Sequence, residues 1–261
     1  MDLLGTTVLV TGASGGIGGA TARAFASEGS RVVLTGRCLE RLNELVKSIG
    51  EKRAMAVTAD ISDPLQVEDL LTKAQERFGS IDILVNNAGV GLVSNVQDMS
   101  ADDLHTAIKV NLFGPLYTIQ KTVPLMRKSG GGVIINVSSM ITRIATMGNG
   151  GYRATKMALD ALSDALRLEL KRERIRVVTV YPGLTDSDFF YHSLGKHSSD
   201  GVVSVRKFRY KPEQVASKII HAACKEPRVV YMGIRGRIGG LAGQIFPGIL
   251  ENLMMLKKRF L

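Results

Sequence analysis

The sequence predicts one α/β domain over residues 1–261, with a doubly wound, mostly seven-stranded parallel sheet and helices on both faces. Short runs rich in Val, Ile and Leu alternate with longer stretches of helical periodicity, which is the pattern of parallel strands joined by crossover helices. The first of these strands leads into a glycine-rich turn. The chain is 45% hydrophobic, which suffices for a large core, and no linker or internal repeat divides it.

The individual elements follow from the apolar runs and their spacing. We predict strands at 6–11, 31–35, 53–58, 81–86, 132–138, 175–181 and 228–232. We predict helices at 16–28, 39–49, 64–78, 102–128, 151–173 and 212–225. Sheets of this type bind ligands at the carboxyl ends of their strands, so we expect the functional residues there.

Composition argues against several classes of protein. Two cysteines, Cys38 and Cys224, are too few for a disulfide framework, and the four histidines are scattered without the spacing of a metal site. No window approaches the roughly 20 consecutive apolar residues of a membrane-spanning helix. The first residues lack the basic and apolar segments of a secretory leader. We therefore expect a cytoplasmic protein without a metal.

The positive charge is concentrated in the last part of the chain. Residues 201–261 contain 12 Lys/Arg against 3 Asp/Glu, a net +9, whereas the rest of the chain has a net +1. The extension 234–261 is amphipathic and basic, a pattern that fits peripheral contact with an anionic membrane. A helix that covers the pocket or forms a subunit interface is the alternative that we favour. Nucleic-acid binding is not expected, because no recognition motif or aromatic platform accompanies the charge.

A glycine-rich loop joins the first strand to the first helix. Gly12 permits a tight turn, Gly16 lets the backbone approach a pyrophosphate, and Gly18 lets the helix pack closely on the strand. The loop residues Ser14, Gly15 and Ile17 complete the predicted phosphate-binding set. The alternative is a glycine-rich turn without a ligand. Its position between a first strand and a first helix favours a dinucleotide site.

The second strand ends in Thr35-Gly36-Arg37 instead of the acidic residue that binds the ribose of NAD. A carboxylate would repel the 2′-phosphate of NADP, whereas a guanidinium can grip it. Arg37 therefore predicts NADP(H) as the cofactor. The alternative is that Arg37 is a solvated residue at the start of a helix.

The order of these and later motifs resembles the short-chain dehydrogenase/reductase family, in its ordinary-length single-domain subgroup. The match runs from about residue 4 to 232 and comprises Thr11-Gly12-x-x-x-Gly16-x-Gly18, Asn86-Asn87-Ala88-Gly89, Asn111, Ser139, Tyr152-x-x-x-Lys156 and Pro182-Gly183. The resemblance implies a Rossmann-like fold, a nicotinamide cofactor and a catalytic set of Asn111, Ser139, Tyr152 and Lys156.

The spacing of the Tyr-Lys pair suits proton transfer. Tyr152 and Lys156 are four residues apart in a predicted helix, so they share one face. Lys156 and the positive charge of an oxidised nicotinamide would lower the pKa of Tyr152 from about 10 toward about 7, which requires roughly 4 kcal/mol of phenolate stabilisation. We expect Tyr152 to act as general acid in reduction and general base in oxidation.

Ser139 and Asn111 take their expected roles from the resemblance. Ser139 would hydrogen-bond the substrate oxygen, while its neighbour Ser138 is structural because the strand turns it to the other face. Asn111 would distort its helix and hold a water that links Lys156 to solvent. The alternative for Asn111 is a residue packed at the helix surface.

Further cofactor contacts are also implied by the resemblance. Asn87, Ala88 and Gly89 belong to a segment that stabilises the central sheet and borders the adenosine ribose. Asp60 and Ile61 match positions that contact adenine, although Asp60 could equally cap the helix that begins at Pro64. After Pro182 and Gly183, the expected contact to the carboxamide or phosphates falls on Ser187, with Thr185 at the preceding backbone-contact site.

The substrate side is less defined by the sequence. We predict a substrate loop at 184–211 and a mostly apolar pocket, formed by Met140, Ile141, Ile144, Met147, Phe189 and Phe190. The expected substrate is a hydrophobic carbonyl or alcohol, and the resemblance implies a homodimer or homotetramer formed through the helices 102–128 and 151–173. The alternative function is a catalytically idle NADP(H)-sensing regulator, which would not need the four catalytic residues together.

Overall fold

A computed structural model of the chain describes residues 1–195 and 210–246, together with positions 248 and 252. Seven parallel strands form one sheet in the order β3-β2-β1-β4-β5-β6-β7. The strands are β1 (Thr7–Thr11), β2 (Arg31–Gly36), β3 (Ala54–Thr58), β4 (Ile83–Asn86), β5 (Gly132–Val137), β6 (Ile175–Tyr181) and β7 (Val229–Tyr231). Every predicted strand is present within two residues of its predicted bounds, so the predicted Rossmann-like sheet is confirmed.

Helices cover both faces of the sheet. They are α1 (Gly16–Ser27), α2 (Leu39–Ile49), α3 (Pro64–Phe78), α4 (Ala101–Ile108), α5 (Gly114–Lys128), α6 (Gly150–Glu169), α7 (Pro212–Lys225) and α8 (Gly233–Ile245). Side chains of α1, α2 and α7 pack with Val8 and Val10 in one core. Those of α3, α5 and the end of α6 pack with Leu9 in the other. The alternation along β1 gives each face of the sheet its own apolar core.

The predicted helix at 102–128 is wrong as a continuous α-helix. A π-helical turn, Lys109–Phe113, separates α4 from α5. Pro115 explains part of the break, because it has no N–H to bond the carbonyl of Asn111 four residues earlier. The predicted helix at 151–173 also ends earlier, at Glu169, and the chain turns into β6 through Arg174, which has a φ of 55°.

The last part of the chain is described only in part. Residues 196–209 of the predicted substrate loop lie outside the described residues, as do most positions of the extension beyond Phe246. The described start of that extension is α8. Among the described residues, no helix combines the length and apolar character needed to cross a membrane.

Candidate active site

The strand order reverses beside β1, because β2 and β3 lie on one side of it and β4 to β7 on the other. The carboxyl ends of β1 and β4 therefore form the crevice where sheets of this type bind their ligands. The glycine loop follows β1 and the Asn86–Gly89 segment follows β4. Both predicted cofactor segments thus meet at one point of the sheet.

The glycine loop is fixed by close backbone contacts. Gly12 has a φ of 66°, which favours glycine. A Cβ on Gly18 would lie 2.1 Å from the carbonyl oxygen of Gly12 and 2.6 Å from Nδ2 of Asn87. Gly15 precedes α1 and gives no side-chain cap, so the first N–H groups of that helix remain available to an anion. The loop has the geometry of a phosphate cradle.

The segment after β4 is tied directly to this loop. Nδ2 of Asn87 donates to the carbonyl oxygens of Thr11 at 3.0 Å and Gly12 at 3.3 Å. Oγ1 of Thr11 accepts from the N–H groups of Asn87 and Ala88, each at 3.0 Å. Asn87 therefore holds the two sides of the crevice in register.

The central sheet is stabilised by Asn86 together with Thr118, Asn136 and Ser163, three residues that the sequence analysis did not single out. Nδ2 of Asn86 donates to Oδ1 of Asn136 at 2.9 Å, and Nδ2 of Asn136 donates to the hydroxyl of Ser163 at 2.8 Å. Oγ1 of Thr118 donates to Oδ1 of Asn86 at 2.6 Å. This buried network links β4 and β5 to α5 and α6. Asparagines inside otherwise apolar strands were the available signal.

Arg37 and a second arginine follow β2, whose last residue, Gly36, lies beside Ser14 of the glycine loop. Arg37 is exposed just beyond β2, and within the described part of the chain it has no hydrogen bond or ion pair. Arg41, one helical turn later, has its Nη1 3.9 Å from where a Cβ on Gly15 would lie. A cavity of about 400 Å³ at this point is lined by Ser14, Gly15, Arg23, Arg41 and Glu44 among others. The sequence analysis missed Arg41, although its spacing of four from Arg37 was visible.

Asp60 does not cap the helix that begins at Pro64. The cap is Asp63, whose Oδ1 accepts from the N–H of Leu65 at 2.9 Å. Oδ1 of Asp60 instead accepts from the N–H and hydroxyl of Ser62, at 2.9 and 2.8 Å. The alternative considered for Asp60 is therefore wrong. Ile61 is 4% exposed and packs beneath Gly114, where a Cβ would lie 2.6 Å from its Cδ1.

Tyr152 and Lys156 lie in the first two turns of α6, on one face as predicted. The Lys156 ammonium is 6.0 Å from the centre of the Tyr152 ring and donates to the carbonyl oxygen of Val137 at 3.0 Å. Burial lowers the pKa of Lys156 to about 8, and the negative charge of Asp160 opposes this shift. Lys156 is therefore a buried cation held between the end of β5 and the phenol.

Burial raises the pKa of the Tyr152 phenol, and the neighbouring Ser139 hydroxyl opposes that shift. This direction is opposite to the expected lowering. The physical reason is that desolvation of the phenolate outweighs the effect of the surrounding groups in the protein alone. Lowering the pKa of Tyr152 would require charge beyond that of Lys156.

Ser139 stands at the end of β5, beside the phenol. Its hydroxyl accepts from the N–H of Ile141 at 3.3 Å and caps the short 3₁₀ turn Met140–Thr142. The N–H of Met140 donates to the carbonyl oxygen of Pro182 at 2.9 Å. This contact joins the serine segment to the Pro182-Gly183 segment after β6.

Asn111 lies in the π-helical turn, so the expected helix distortion is present. Its side chain is fully buried, and the alternative of a surface-packed residue is wrong. Oδ1 accepts from the N–H of Val90, while Nδ2 donates to the Val90 carbonyl, both at 2.8 Å. Nδ2 also donates to Oγ1 of Thr155 at 3.0 Å. Asn111 thus clamps the chain after β4 to α6, and the water relay stays a prediction.

Gly89 brings the cofactor and catalytic segments together. A Cβ on Gly89 would lie 3.0 Å from Oδ1 of Asn111 and 3.5 Å from Nζ of Lys156. On the opposite side of the crevice, Ser187 approaches the glycine loop, since a Cβ on Gly16 would lie 3.1 Å from Cβ of Ser187. Thr185 is buried and its hydroxyl donates to the carbonyl of Gly183 at 3.0 Å. Of the two residues, Ser187 therefore lies nearer the phosphate cradle.

The comparisons with known proteins agree with this arrangement. The family model described as short chain dehydrogenase matches residues 6–196. An uncharacterized oxidoreductase of Staphylococcus epidermidis is 33% identical over 221 residues, covering 85% of this chain and 92% of that protein. The chain belongs to the short-chain dehydrogenase/reductase family. It is thus an oxidoreductase by family.

Solved structures of the family share the fold. A short-chain dehydrogenase/reductase from Burkholderia phymatum, solved in complex with NAD, superposes with a TM-score of 0.87 at 22% identity, covering 94% of each chain. An alcohol dehydrogenase from the archaeon Thermococcus sibiricus, complexed with 5-hydroxy-NADP, has a TM-score of 0.75 and 29% identity, covering 87% of this chain and 94% of that one.

Behind Tyr152 and Lys156 lies a partly buried charged cluster that the sequence analysis missed. Nη2 of Arg143 donates to the hydroxyl of Tyr181 and lies 3.7 Å from Oδ2 of Asp160. The guanidinium also covers the Tyr181 ring, 4.4 Å from its centre. Burial raises the pKa of Asp160, and Ser138, Thr142 and Arg143 oppose that shift. The cluster fixes the segment after Ser139 to α6, and only the fold brings its members together.

Aromatic side chains close the substrate side. The rings of Tyr152 and Phe189 are 5.6 Å apart, and Phe189 meets Phe190 edge-on at 5.5 Å. Met140, Ile141 and Ile144 are partly buried, whereas Met147 is 57% exposed. Phe189 therefore packs against the Tyr152 ring, and the remainder of the predicted apolar pocket stays a prediction.

Proposed function

We propose that this protein is an NADP(H)-dependent oxidoreductase that interconverts a carbonyl and an alcohol of a hydrophobic substrate, with Tyr152 as the proton donor or acceptor. The observation that carries the proposal is the convergence of Tyr152, Lys156 and Ser139 on the crevice where the glycine loop ends. A regulator that only sensed the cofactor would have no need for a buried lysine beside a phenol.

The residues at the crevice fit a nicotinamide dinucleotide. Gly12 and Gly18 leave a cradle that a Cβ would fill, and the uncapped N–H groups of α1 suit a pyrophosphate. Asp60, Ile61 and Ala88 would contact the adenosine, while Ser187 and the Pro182-Gly183 segment would border the opposite end of the cofactor. When bound, the cofactor would supply or accept a hydride. Members of the family with this fold have been solved with NAD and with 5-hydroxy-NADP, which supports the proposal.

The chain's own residues handle the proton and the oxygen. The Ser139 hydroxyl would donate to the substrate oxygen, where charge develops. The Tyr152 phenol would give its proton to that oxygen in reduction and take it back in oxidation. The Lys156 ammonium stabilises the phenolate by its charge from one helical turn away. Asn111 positions α6 against the chain after β4 and thereby holds this geometry.

Arginines support a preference for NADP(H) over NAD(H). Arg37 is exposed just beyond β2 without a hydrogen bond or ion pair in the described chain, and Arg41 lines the cavity beside the glycine loop. Two guanidinium groups favour a 2′-phosphate, which a carboxylate at the position of Arg37 would repel. Glu44 also lines the cavity, so the arginines must outweigh its charge.

The proposed enzyme is a cytoplasmic homodimer or homotetramer. The π-helical turn and α6 carry exposed apolar side chains, which supports pairing through these elements; they are Phe113, Met157, Leu162 and Leu168. Light scattering of the purified protein measures the assembly directly. A monomer at micromolar concentration would contradict this part of the proposal.

The experiment that tests the proposal follows the consumption of NADPH and NADH with a panel of apolar ketones and aldehydes. We expect turnover with NADPH that falls by about 10²-fold or more in Tyr152→Phe, because proton transfer contributes about 10² to 10⁴ in rate. Tyr191→Phe is the matched control, since Tyr191 is 66% exposed and should keep full activity. Tight NADPH binding without turnover on the panel would instead favour the sensing function, and a preference for NADH would contradict the assigned cofactor.

A further inference from the structure

α8 has two faces of different character. On the inner face, a Cβ on Gly243 would lie 2.2 Å from the carbonyl oxygen of Arg143 and 3.2 Å from Cγ1 of Ile144. A Cβ on Gly240 would lie 3.4 Å from Cε of Met140. The helix therefore rests its backbone on the segment that follows Ser139.

The outer face of α8 is apolar and exposed. Ile234, Ile238, Leu241 and Ile245 are 67%, 61%, 44% and 64% exposed. Their spacing of four, three and four residues places them on one side of a helix. Phe246, just beyond the helix, is 56% exposed and extends the same apolar character. We call these five side chains the outer ridge.

The charge of α8 and of the sequence that follows it identifies the partner of the outer ridge. No residue of α8 is acidic, and residues 233–261 contain five Lys/Arg and one Asp/Glu. A second copy packed ridge to ridge would bring like charges together, which disfavours self-association through this face. An anionic lipid surface matches both features, because the apolar side chains of the ridge can insert at the acyl-chain boundary while the basic residues contact negatively charged headgroups.

We propose that α8 is a peripheral membrane-binding helix whose outer ridge inserts at the surface of an anionic phospholipid bilayer. The helix lies in the plane of the interface, because its apolar side chains follow one side along its whole length. Its inner face stays on the 140–144 segment, so in the bound protein α8 lies between that segment and the lipid headgroups. Binding is stronger on anionic lipid and weaker at high salt, since the electrostatic part is screened.

The test is flotation of the full chain with vesicles of phosphatidylcholine alone and of phosphatidylcholine mixed with phosphatidylglycerol. We expect recovery with the anionic vesicles to exceed that with the neutral ones by about tenfold at low salt, and to fall at high salt. The double variant Ile238→Glu/Leu241→Glu should lose this recovery. Leu4→Glu/Leu65→Glu is the matched control, because these leucines are 76% and 75% exposed elsewhere on the surface, and it should float like the unaltered chain.

A second variant distinguishes a loss of membrane binding from a folding defect in the ridge variant. Arg237→Glu leaves the outer ridge intact and reverses one charge, so we expect a several-fold loss of flotation with an unchanged Tm. Equal recovery of the unaltered chain and the ridge variant would overturn the proposal. So would a ridge variant that lowers the oligomer mass in light scattering while the unaltered chain fails to float, because the ridge would then bind a second copy.

Discussion

Two glycine-containing regions flank the candidate site and are built in different ways. In the phosphate cradle, the closest contact of Gly18 is with Gly12, six residues away in the chain. On the substrate side, Gly243 contacts Arg143, a hundred residues away. The cradle is a local backbone structure, whereas the substrate side depends on a helix from the end of the chain. We therefore expect changes in the cradle to affect cofactor binding and changes in α8 to affect the substrate step.

The largest effect is expected for Gly18→Ala in the cradle. The added Cβ would lie 2.1 Å from the Gly12 carbonyl oxygen, so α1 has to move away from the loop. Overpacking of this kind costs about 1–3 kcal/mol, and we expect the Kd for NADPH to rise roughly 30-fold. Fluorescence titration of the protein with NADPH measures this Kd. Gly239→Ala in α8 is the control, because its Cβ meets nothing within 4 Å; an equal loss in both variants would contradict the comparison.

The buried lysine gives a pH dependence of stability to the catalytic side. The pKa of Lys156 is about 8 in the folded protein against an ordinary value of 10.5, so the unfolded chain binds more protons between these pH values. The free energy of unfolding therefore rises with pH across this window, by about 2 kcal/mol up to pH 9.5. Urea unfolding at about pH 7.5 and 9.5 measures the gain.

Lys156→Met is the control for this pH dependence, because it removes the titrating group and keeps the length of the side chain. Its gain in stability over the same pH range should be smaller by about 2 kcal/mol. Tyr152 and Tyr181 have raised pKa values, so their titration lowers the free energy of unfolding at higher pH. The measured pH range therefore stops below 10. Identical pH profiles for the two proteins would show that Lys156 is not a perturbed buried cation.

Gly243→Ala tests the substrate side of the comparison. Its Cβ would lie 2.2 Å from the Arg143 carbonyl oxygen and push α8 off the segment after Ser139. We expect kcat/KM to fall about tenfold while the Kd for NADPH stays the same, because a shift of about an ångström at the substrate is costly for catalysis. Steady-state kinetics measure kcat/KM, and cofactor titration measures the Kd for NADPH. Weakened NADPH binding would mean that the regions are not independent.

Arg41→Ala should give the smallest effect. An exposed charge contact is worth about 1 kcal/mol or less, so we expect a loss of NADPH affinity of up to fivefold and no change for NADH. Arg37→Ala should act in the same direction. Lys47→Ala on the exposed side of α2 is the control and should leave both affinities unchanged. Equal losses for NADPH and NADH would argue against a contact with the 2′-phosphate.

The sheet and the cradle were predictable because both obey local rules. Short continuous runs rich in Val, Ile and Leu predicted the strands, and the order of Gly12, Gly16 and Gly18 between a strand and a helix predicted the loop. The helix at 102–128 was predicted without its break, although Pro115 stood in the sequence as a signal. Asp63, three residues from Asp60, took the capping role because it directly precedes Pro64.

The rest of the site depends on tertiary contacts that periodicity does not encode. Arg143, Asp160 and Tyr181 come from a turn, a helix and a strand, and each alone has the appearance of an ordinary polar residue. The raised pKa of Tyr152 follows from burial, which the spacing to Lys156 could not show. The contact of α8 with Arg143 likewise joins segments that are distant in the chain.

The most direct measurement uses NADPH that carries deuterium at the transferable position, incubated with the panel of apolar ketones and analysed by mass spectrometry. The account predicts an alcohol product with one deuterium on the carbinol carbon. Tyr152→Phe should form at least about 10²-fold less of that product in the same time. Bound NADPH that is recovered with its deuterium, and no labelled alcohol from any ketone, would contradict the claim that this site is an oxidoreductase centre.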